Sequence, residues 1–320
     1  MKILVTGASG FVGKSLVKAL DLKRIQTVKV VRRHQQHLTD DNYHVIPDLA
    51  EFSGWQSLFA GCDVVIHLAA RVHVMDEKTL NPLAEFIKVN VDDTLKFARQ
   101  AASYGVKRFV YISSIKVNGE FTEKKAFSEL SQPDPQYPYA ISKYRAELAL
   151  LELSKNTGME VVIVRPPLVY GPQVKANFLT LMKIVNKKIP LPFKGINNRR
   201  SLVYVGNLVD ALIACATHSN AAGKTFLVSD GEDVSTPELM IKIANALSKP
   251  SRVFYFPLSL ILFLTRLIGK KASIDRLTQS LVVDSSKIRK ELGWHPPYSL
   301  DEGLKATAKW YIENLKAIKK

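Results

Sequence analysis

The 320-residue sequence predicts an α/β fold, a doubly wound parallel sheet with helices on both faces and a smaller C-terminal lobe. Three observations carry that expectation. Short, nearly continuous apolar runs alternate with helix-spaced segments through the first half, as strands buried on both faces do. A glycine-rich turn stands directly between the first apolar run and the first helical segment. After Arg165, prolines and asparagines thicken in RPPLVYGP and KKIPLPFKGINNRRS, and the alternation loosens. The expected division is therefore 1–170 and 171–320, with an interleaved border.

KILVTG reads as a short buried strand, and GFVGKSLVKAL has helical spacing at Val12, Leu16, Val17 and Leu20. TVKVV is a second strand and HVIPDL a short third. WQSLFAG reads as helix, DVVIHLAA as strand, and PLAEFIKVNVDDTLKFARQAASYG as one long helix stopped by Gly105. KRFVYISS is the next strand, YPYAISKYRAELALLELSKNTG a helix ending at Gly158, and EVVIVRPP a strand. The stretch Val253 to Gly269, VFYFPLSLILFLTRLIG, predicts a strand ending at Pro257 and a buried helix capped by Gly269. Pro257 and Arg266 interrupt it, and it is shorter than the roughly 20 apolar residues of a transmembrane span. Its other reading is a peripheral helix resting on a membrane surface, helped by Lys270 and Lys271.

Composition narrows the function. The net charge of +16 is scattered, with no arginine-rich helix, zinc-finger spacing or aromatic-interleaved strand. That pattern argues against nucleic acid and for a polyanionic small molecule. Cys62 and Cys215 lie in separate apolar runs, and neither a disulfide nor a metal site is expected. The first apolar run breaks at Thr6-Gly7, unlike a signal peptide, so the expected location is cytoplasmic.

TGASGFVG places Gly7, Gly10 and Gly13 between a strand and a helix. Glycines there let the backbone turn tightly, let a pyrophosphate approach main-chain N–H groups, and let the helix pack on the sheet. With Phe11 and Val12 opening the helix, this is a candidate Rossmann-type dinucleotide site. About twenty residues further on, NAD-binding sheets carry an acid for the ribose hydroxyls. Here the second strand ends in Arg32 and Arg33, which cannot accept those bonds but can pair with a 2′-phosphate. The expectation is NADP(H) over NAD(H). Asp48 is a candidate acceptor for the adenine amino group, with Leu49 packing nearby.

In YPYAISKY, Tyr139 and Lys143 are four apart on a helix and share a face. An ammonium near a phenol favours the phenolate and lowers its pKa, which suits a proton shuttle at a carbinol carbon. Ser114, just past the strand in YISSIKVNG, would face the ligand crevice and hydrogen-bond the reacting oxygen.

Together TGASGFVG, HLAA, SSIKVNG, YAISK, RPPLVYGP, RRSLVYVGNLVDA, LGWHPP and DEGLKATAKWY run through nearly the whole chain. With them the sequence resembles the extended short-chain dehydrogenase/reductases that act on nucleotide sugars, the group typified by UDP-galactose 4-epimerase. The resemblance implies Ser114, Tyr139 and Lys143 as catalytic residues, with Lys143 also binding the nicotinamide ribose. It implies that Leu68, Ala69 and Ala70 line the cofactor and that the backbone near Pro166 meets the nicotinamide amide. Asn177, Arg200 and Arg276 match positions that hold a UDP diphosphate, and a homodimer through helices including that of Tyr139 is implied.

Asn118 stands where the family usually has tyrosine, and Gly206-Asn207 where it often has paired acids. Both departures are expected to reshape the sugar pocket. With Arg32 they resemble a bacterial surface-polysaccharide branch that includes reductases of UDP-2-acetamido-4-keto-2,6-dideoxyhexoses. The expected activity is that NADPH-dependent 4-keto reduction. The alternatives are a UDP-hexose or UDP-N-acetylhexosamine 4-epimerase with bound NAD and, from another class, a non-catalytic dinucleotide-binding protein.

Overall fold

A computed structural model describes residues 1–33, 43–72, 80–257, 275 and 277–315. Its main sheet follows the expected alternation. β1 (Lys2–Thr6), β2 (Gln26–Val31), β3 (Tyr43–Val45), β4 (Val64–His67), β5 (Arg108–Ile112) and β6 (Glu160–Arg165) are joined by a seventh strand, β9 (Thr225–Leu227). The order is β3-β2-β1-β4-β5-β6-β9, and every pairing is parallel. Strand order reverses at the β1–β4 boundary, so a crevice opens beyond the carboxyl ends of those two strands.

Helices cover both faces, which is why the strands read as apolar runs rather than alternating ones. On one face α1 (Phe11–Leu22), α7 (Val205–Thr217) and α9 (Ser286–Leu292) bury Leu16, Leu20, Leu208, Leu212 and Ile288 against Ile3, Val5 and Val110. On the other, α2 (Trp55–Phe59), α4 (Thr94–Ser103) and α5 (Pro138–Thr157) bury Trp55, Phe59, Phe97 and Leu150 against Leu4, Val65 and Phe109. Trp55 and Phe97 meet at 4.8 Å between ring centroids, closing this layer at its centre. A third core lies beside the sheet, where the pair β7 (Leu168–Tyr170) and β8 (Leu202–Tyr204) packs with α6 (Ala176–Asn186), α8 (Thr236–Ala246) and α10 (Leu300–Glu313). The chain beyond residue 170 thus contributes to both bodies, since α7, β9 and α9 return to the main sheet.

The α5 helix buries Ala140, Lys143, Ala146, Glu147, Leu150 and Leu153, a stripe at helical spacing that includes two ionisable groups. Gly158 closes it at φ +73°, a left-handed conformation that glycine adopts without strain.

One element differs from expectation. The long helix predicted to end at Gly105 is α3 (Pro82–Ile87), a π-helical turn over Lys88–Asp93, and then α4. A wider turn accommodates one extra residue, and such turns gather at functional sites. Here the turn holds Asn90, whose side chain accepts from Arg71 N at 2.8 Å and donates to Arg71 O at 3.0 Å and Ser142 Oγ at 2.9 Å. Hydrophobic spacing does not reveal such an insertion, because the apolar face continues through it.

Of the apolar stretch 253–269, Val253 bridges to Leu191, while residues 258–269, like Lys270 and Lys271, lie outside the described residues. No helix among the described residues is long and apolar enough to cross a membrane.

Candidate active site

The crevice beyond β1 and β4 is a cleft of about 790 Å³, in the range of cofactor and substrate sites. At its floor, Gly7 turns at φ +67° with its Cα against the backbone of Leu68 and Ala69. A Cβ on Gly7 would lie 2.9 Å from Ala69 N, and one on Gly13 only 2.1 Å from Gly7 O. Both must therefore be glycine, as the turn and the close helix packing require. The α1 helix starts after Gly10 with no side-chain cap and no acid in its first turn. Its leading amides and the positive end of its dipole thus favour an anion there.

The residues present fit a nicotinamide dinucleotide on three counts: the uncapped helix start, the glycine cradle, and Ser113 at the far end. Ser113 Oγ is buried, lines the cleft, and has no hydrogen-bond partner among the described residues. Gly7, Gly10, Phe11, Val12, Gly13, Arg32, Asp48, Leu49, Leu68, Ala69, Ala70 and Pro166 all line this cleft. Arg32 is exposed at the end of β2, whereas Arg33 is exposed beside it and off the cleft wall. Asp48 uses Oδ1 on its own turn, accepting from Ala50 N at 2.8 Å.

The reactive end is assembled from three strand ends and one helix. Ser114 follows β5 and hydrogen-bonds Tyr139 across the cleft, and its Oγ also accepts from Lys116 N at 3.3 Å. Phe86 of α3 packs edge-on to Tyr139, 6.2 Å between centroids. Lys143 is 1% exposed; its Nζ donates to Ile112 O at 2.8 Å and sits 4.5 Å from the centre of the Tyr111 ring. The Tyr–Lys spacing led us to expect a phenol lowered by the ammonium. Burial instead pushes Tyr139 up to about 12, with Ser114 opposing, and pulls Lys143 down to about 7, with Glu147 opposing. One cause, desolvation of charge in a closed corner, moves both groups.

His67, at the end of β4, is held neutral: burial pulls it down to about 3, and its ring meets Thr6 Oγ1 at 2.9 Å and Thr94 Oγ1 at 3.2 Å. No group of three or more His, Cys, Asp or Glu among the described residues is arranged to hold a metal ion.

The expected second-lobe contacts are not part of this wall. Asn177 is exposed on α6, and Arg200 donates from Nη1 to Gln279 O at 3.0 Å while its backbone bridges Val234 and Leu281. Arg276 lies outside the described residues. The two departures expected to reshape the sugar pocket serve packing instead. Asn118 is buried between Arg165 Nη1 at 3.0 Å and Ser128 O at 3.2 Å. Asn207 donates to Asp230 Oδ1 at 2.7 Å and Tyr298 O at 2.8 Å, and a Cβ on Gly206 would meet the Tyr204 ring at 2.5 Å.

Against this geometry the likenesses to known proteins are specific. The NAD dependent epimerase/dehydratase family model matches residues 3–229. The chain belongs to that family. It is 45% identical over 97% of its length to a UDP-glucose 4-epimerase of Vibrio cholerae, covering 95% of that protein. Among solved structures it matches a UDP-glucose 4-epimerase of Thermotoga maritima with UDP-glucose (TM-score 0.79, 22% identity, 98% and 100% of the two chains). It also matches a UDP-glucuronic acid 4-epimerase of Bacillus cereus in complex with NAD (TM-score 0.78, 24% identity, 99% and 98%). At those identities the two structures speak for the fold.

The cleft has further lining residues that motif reading missed. Ser113, Glu85, Lys88, Asp93 and Lys175 line it as well. Ser113 adjoins Ser114 in the SSIKVNG run and was legible there; the others come from the π-helical turn and from α3 and α6, which no short motif marks.

Gly13→Ala should bind NAD at least about tenfold more weakly, read by calorimetric titration on protein whose circular dichroism matches the wild type, because even a methyl group would displace the cradle. Unchanged affinity would remove the glycine loop from the site.

Proposed function

We propose that this enzyme is a UDP-hexose 4-epimerase, working through a tightly held NAD. The observation that carries the reading is the Ser114–Tyr139–Lys143 corner in a chain 45% identical, end to end, to a UDP-glucose 4-epimerase. That likeness moves the preference away from 4-keto reduction, which rested on Arg32 and on the departures at Asn118 and Gly206-Asn207. The dinucleotide supplies reversible two-electron oxidation at the sugar C4 carbon.

The chain's own groups supply the rest. Tyr139 takes the proton from the sugar 4-hydroxyl and returns it to the 4-keto oxygen, so the same atom serves both directions. Ser114, already bonded to Tyr139, shares that oxygen and fixes its line of approach. Lys143, as an ammonium, would bind the nicotinamide ribose and draw the phenol down toward working pH. Lys175 would bring a cation to the substrate diphosphate from the start of α6, with Asn177 and Arg200 as further candidates and Arg276 beyond the described residues. A homodimer, a cytoplasmic location and a role in surface polysaccharide synthesis belong to the same reading, as does a division of the chain near residue 170.

One observation favours a second reading. The second strand ends in an exposed arginine on the cleft wall, where a ribose-gripping acid would stand. Arg32 suits a 2′-phosphate, and NADPH-dependent reduction of a UDP-4-keto sugar would use the same corner.

Tyr139→Phe should reduce turnover of UDP-galactose by about 100- to 10,000-fold while dinucleotide binding persists, read by coupled assay and by titration. An unaffected rate would take Tyr139 out of the mechanism. Arg32→Asp should move the ratio of NADP(H) to NAD(H) affinity toward NAD(H) by about tenfold or more, read by fluorescence titration. An unaltered ratio would show that Arg32 does not meet the adenosine ribose.

A further inference from the structure

Four residues past Lys143, on the same buried face of α5, lies Glu147, 2% exposed. It is gripped in a fork by Arg165, the last residue of β6: Nε donates to Oε1 at 2.9 Å and Nη2 to Oε2. The third nitrogen of the same guanidinium, Nη1, donates to Asn118 Oδ1 at 3.0 Å, and Asn118 donates onward to Ser128 O at 3.2 Å. Arg165 is itself buried. It stands directly before Pro166, whose carbonyl accepts from Ile115 N at 3.0 Å, one residue after Ser114.

Arg165 therefore ties together three of the elements that build the reactive corner. Through Glu147 it holds the helix of Tyr139 and Lys143, through Asn118 the turn that follows Ser114, and through its own backbone the Pro166 wall. A buried ion pair contributes little to stability beside an apolar pair of equal volume, because both charges must be stripped of water. A fork facing three catalytic elements has more to offer as a positioning device, since its planar geometry fixes direction as well as distance.

We propose that Glu147 and Arg165 are positioning residues of the reaction, Arg165 locking the three elements in register and Glu147 holding a carboxylate one turn from Lys143 on the same buried face. Around Lys143 stand Glu147 one turn along α5, Tyr111 on β5 and His67 on β4, with Arg165 on β6 paired to Glu147; Tyr139, Glu85 and Lys88 line the same cleft. His67 is neutral and burial raises Tyr111 well above the usual phenol range, so neither offers Lys143 a counter-charge. Glu147 is the carboxylate that opposes the pull of burial on that amine. The inference rests on the epimerase reading only for the name of the reaction; the same corner serves any Tyr139-dependent proton transfer.

The test is Glu147→Gln in the full-length protein, with Lys143 titrated directly. Competitive acetylation with acetic anhydride across pH, read by mass spectrometry on the Lys143 peptide, follows that amine without turnover. In the wild type the midpoint is expected near about 7. In Glu147→Gln it should fall by about one unit, a tenfold loss of ammonium at fixed pH. The alkaline limb of kcat on UDP-galactose should move down with it, while KM stays within about twofold. If Glu147→Gln does not fold, Glu147→Gln with Arg165→Met is compared with Arg165→Met alone, and its midpoint should lie lower by about one unit, because only the carboxylate differs between the two. An unchanged Lys143 midpoint in either comparison overturns the proposal, even if thermal stability falls. Absence of epimerase activity in the wild type would count against the reaction assigned and leave the labelling result standing.

Discussion

Lys143 donates to the last carbonyl of β5 at 2.8 Å, and that bond ties the working face of α5 to the strand end that carries Ser114. A hydrogen bond from a charged donor contributes about 1.5–3 kcal/mol, while burial of the amine works against it. The lysine is tolerated because it has a carbonyl, an aromatic face and a carboxylate around it. Move α5 by one turn and Tyr139 no longer reaches Ser114, whose place is set by the end of the same strand. The corner is thus a product of sheet geometry: strand ends supply fixed backbone groups, and the helix brings a phenol and an amine to them.

The opposite end of the cleft follows a different constraint, that of space. Gly7 and Gly13 leave no room for a side chain, so the helix start can approach the floor of the crevice and present uncapped amides. Between the two ends the lining mixes apolar residues (Leu68, Ala69, Val89, Leu208) with charged ones (Glu85, Lys88, Asp93), and burial of Tyr139 itself raises the phenol. The same burial that makes Tyr139 a poor base on its own makes it sensitive to any positive charge brought beside it.

Much of this was legible in the sequence. Near-continuous apolar strands fixed the parallel sheet, the glycine spacing marked the cradle, and Tyr139 and Lys143 declared a shared face by their spacing. What was not legible depends on long-range packing. Asn118 and Asn207 looked like sugar-pocket substitutions because they depart from motif positions, yet their amides are consumed by Arg165, Asp230 and Tyr298. The spacing of Tyr139 and Lys143 carries only the charge part of the problem, whereas burial of the phenol depends on residues distant in sequence such as Phe86. The π-helical turn was invisible for a similar reason: its signal is a tertiary contact of Asn90 with Arg71 and Ser142. The family resemblance named the reaction class, while Arg32 drew the finer choice toward a reductase that the 45% identical relative does not favour.

The most direct test of the account is to give the purified protein UDP-galactose with no added nucleotide and follow the sugar anomeric signals by proton NMR. The account predicts conversion to UDP-glucose, and the same final mixture approached from UDP-glucose, because a retained NAD is restored in every cycle. No interconversion from either side, with NADPH consumed only when a UDP-4-keto sugar is supplied, would contradict it.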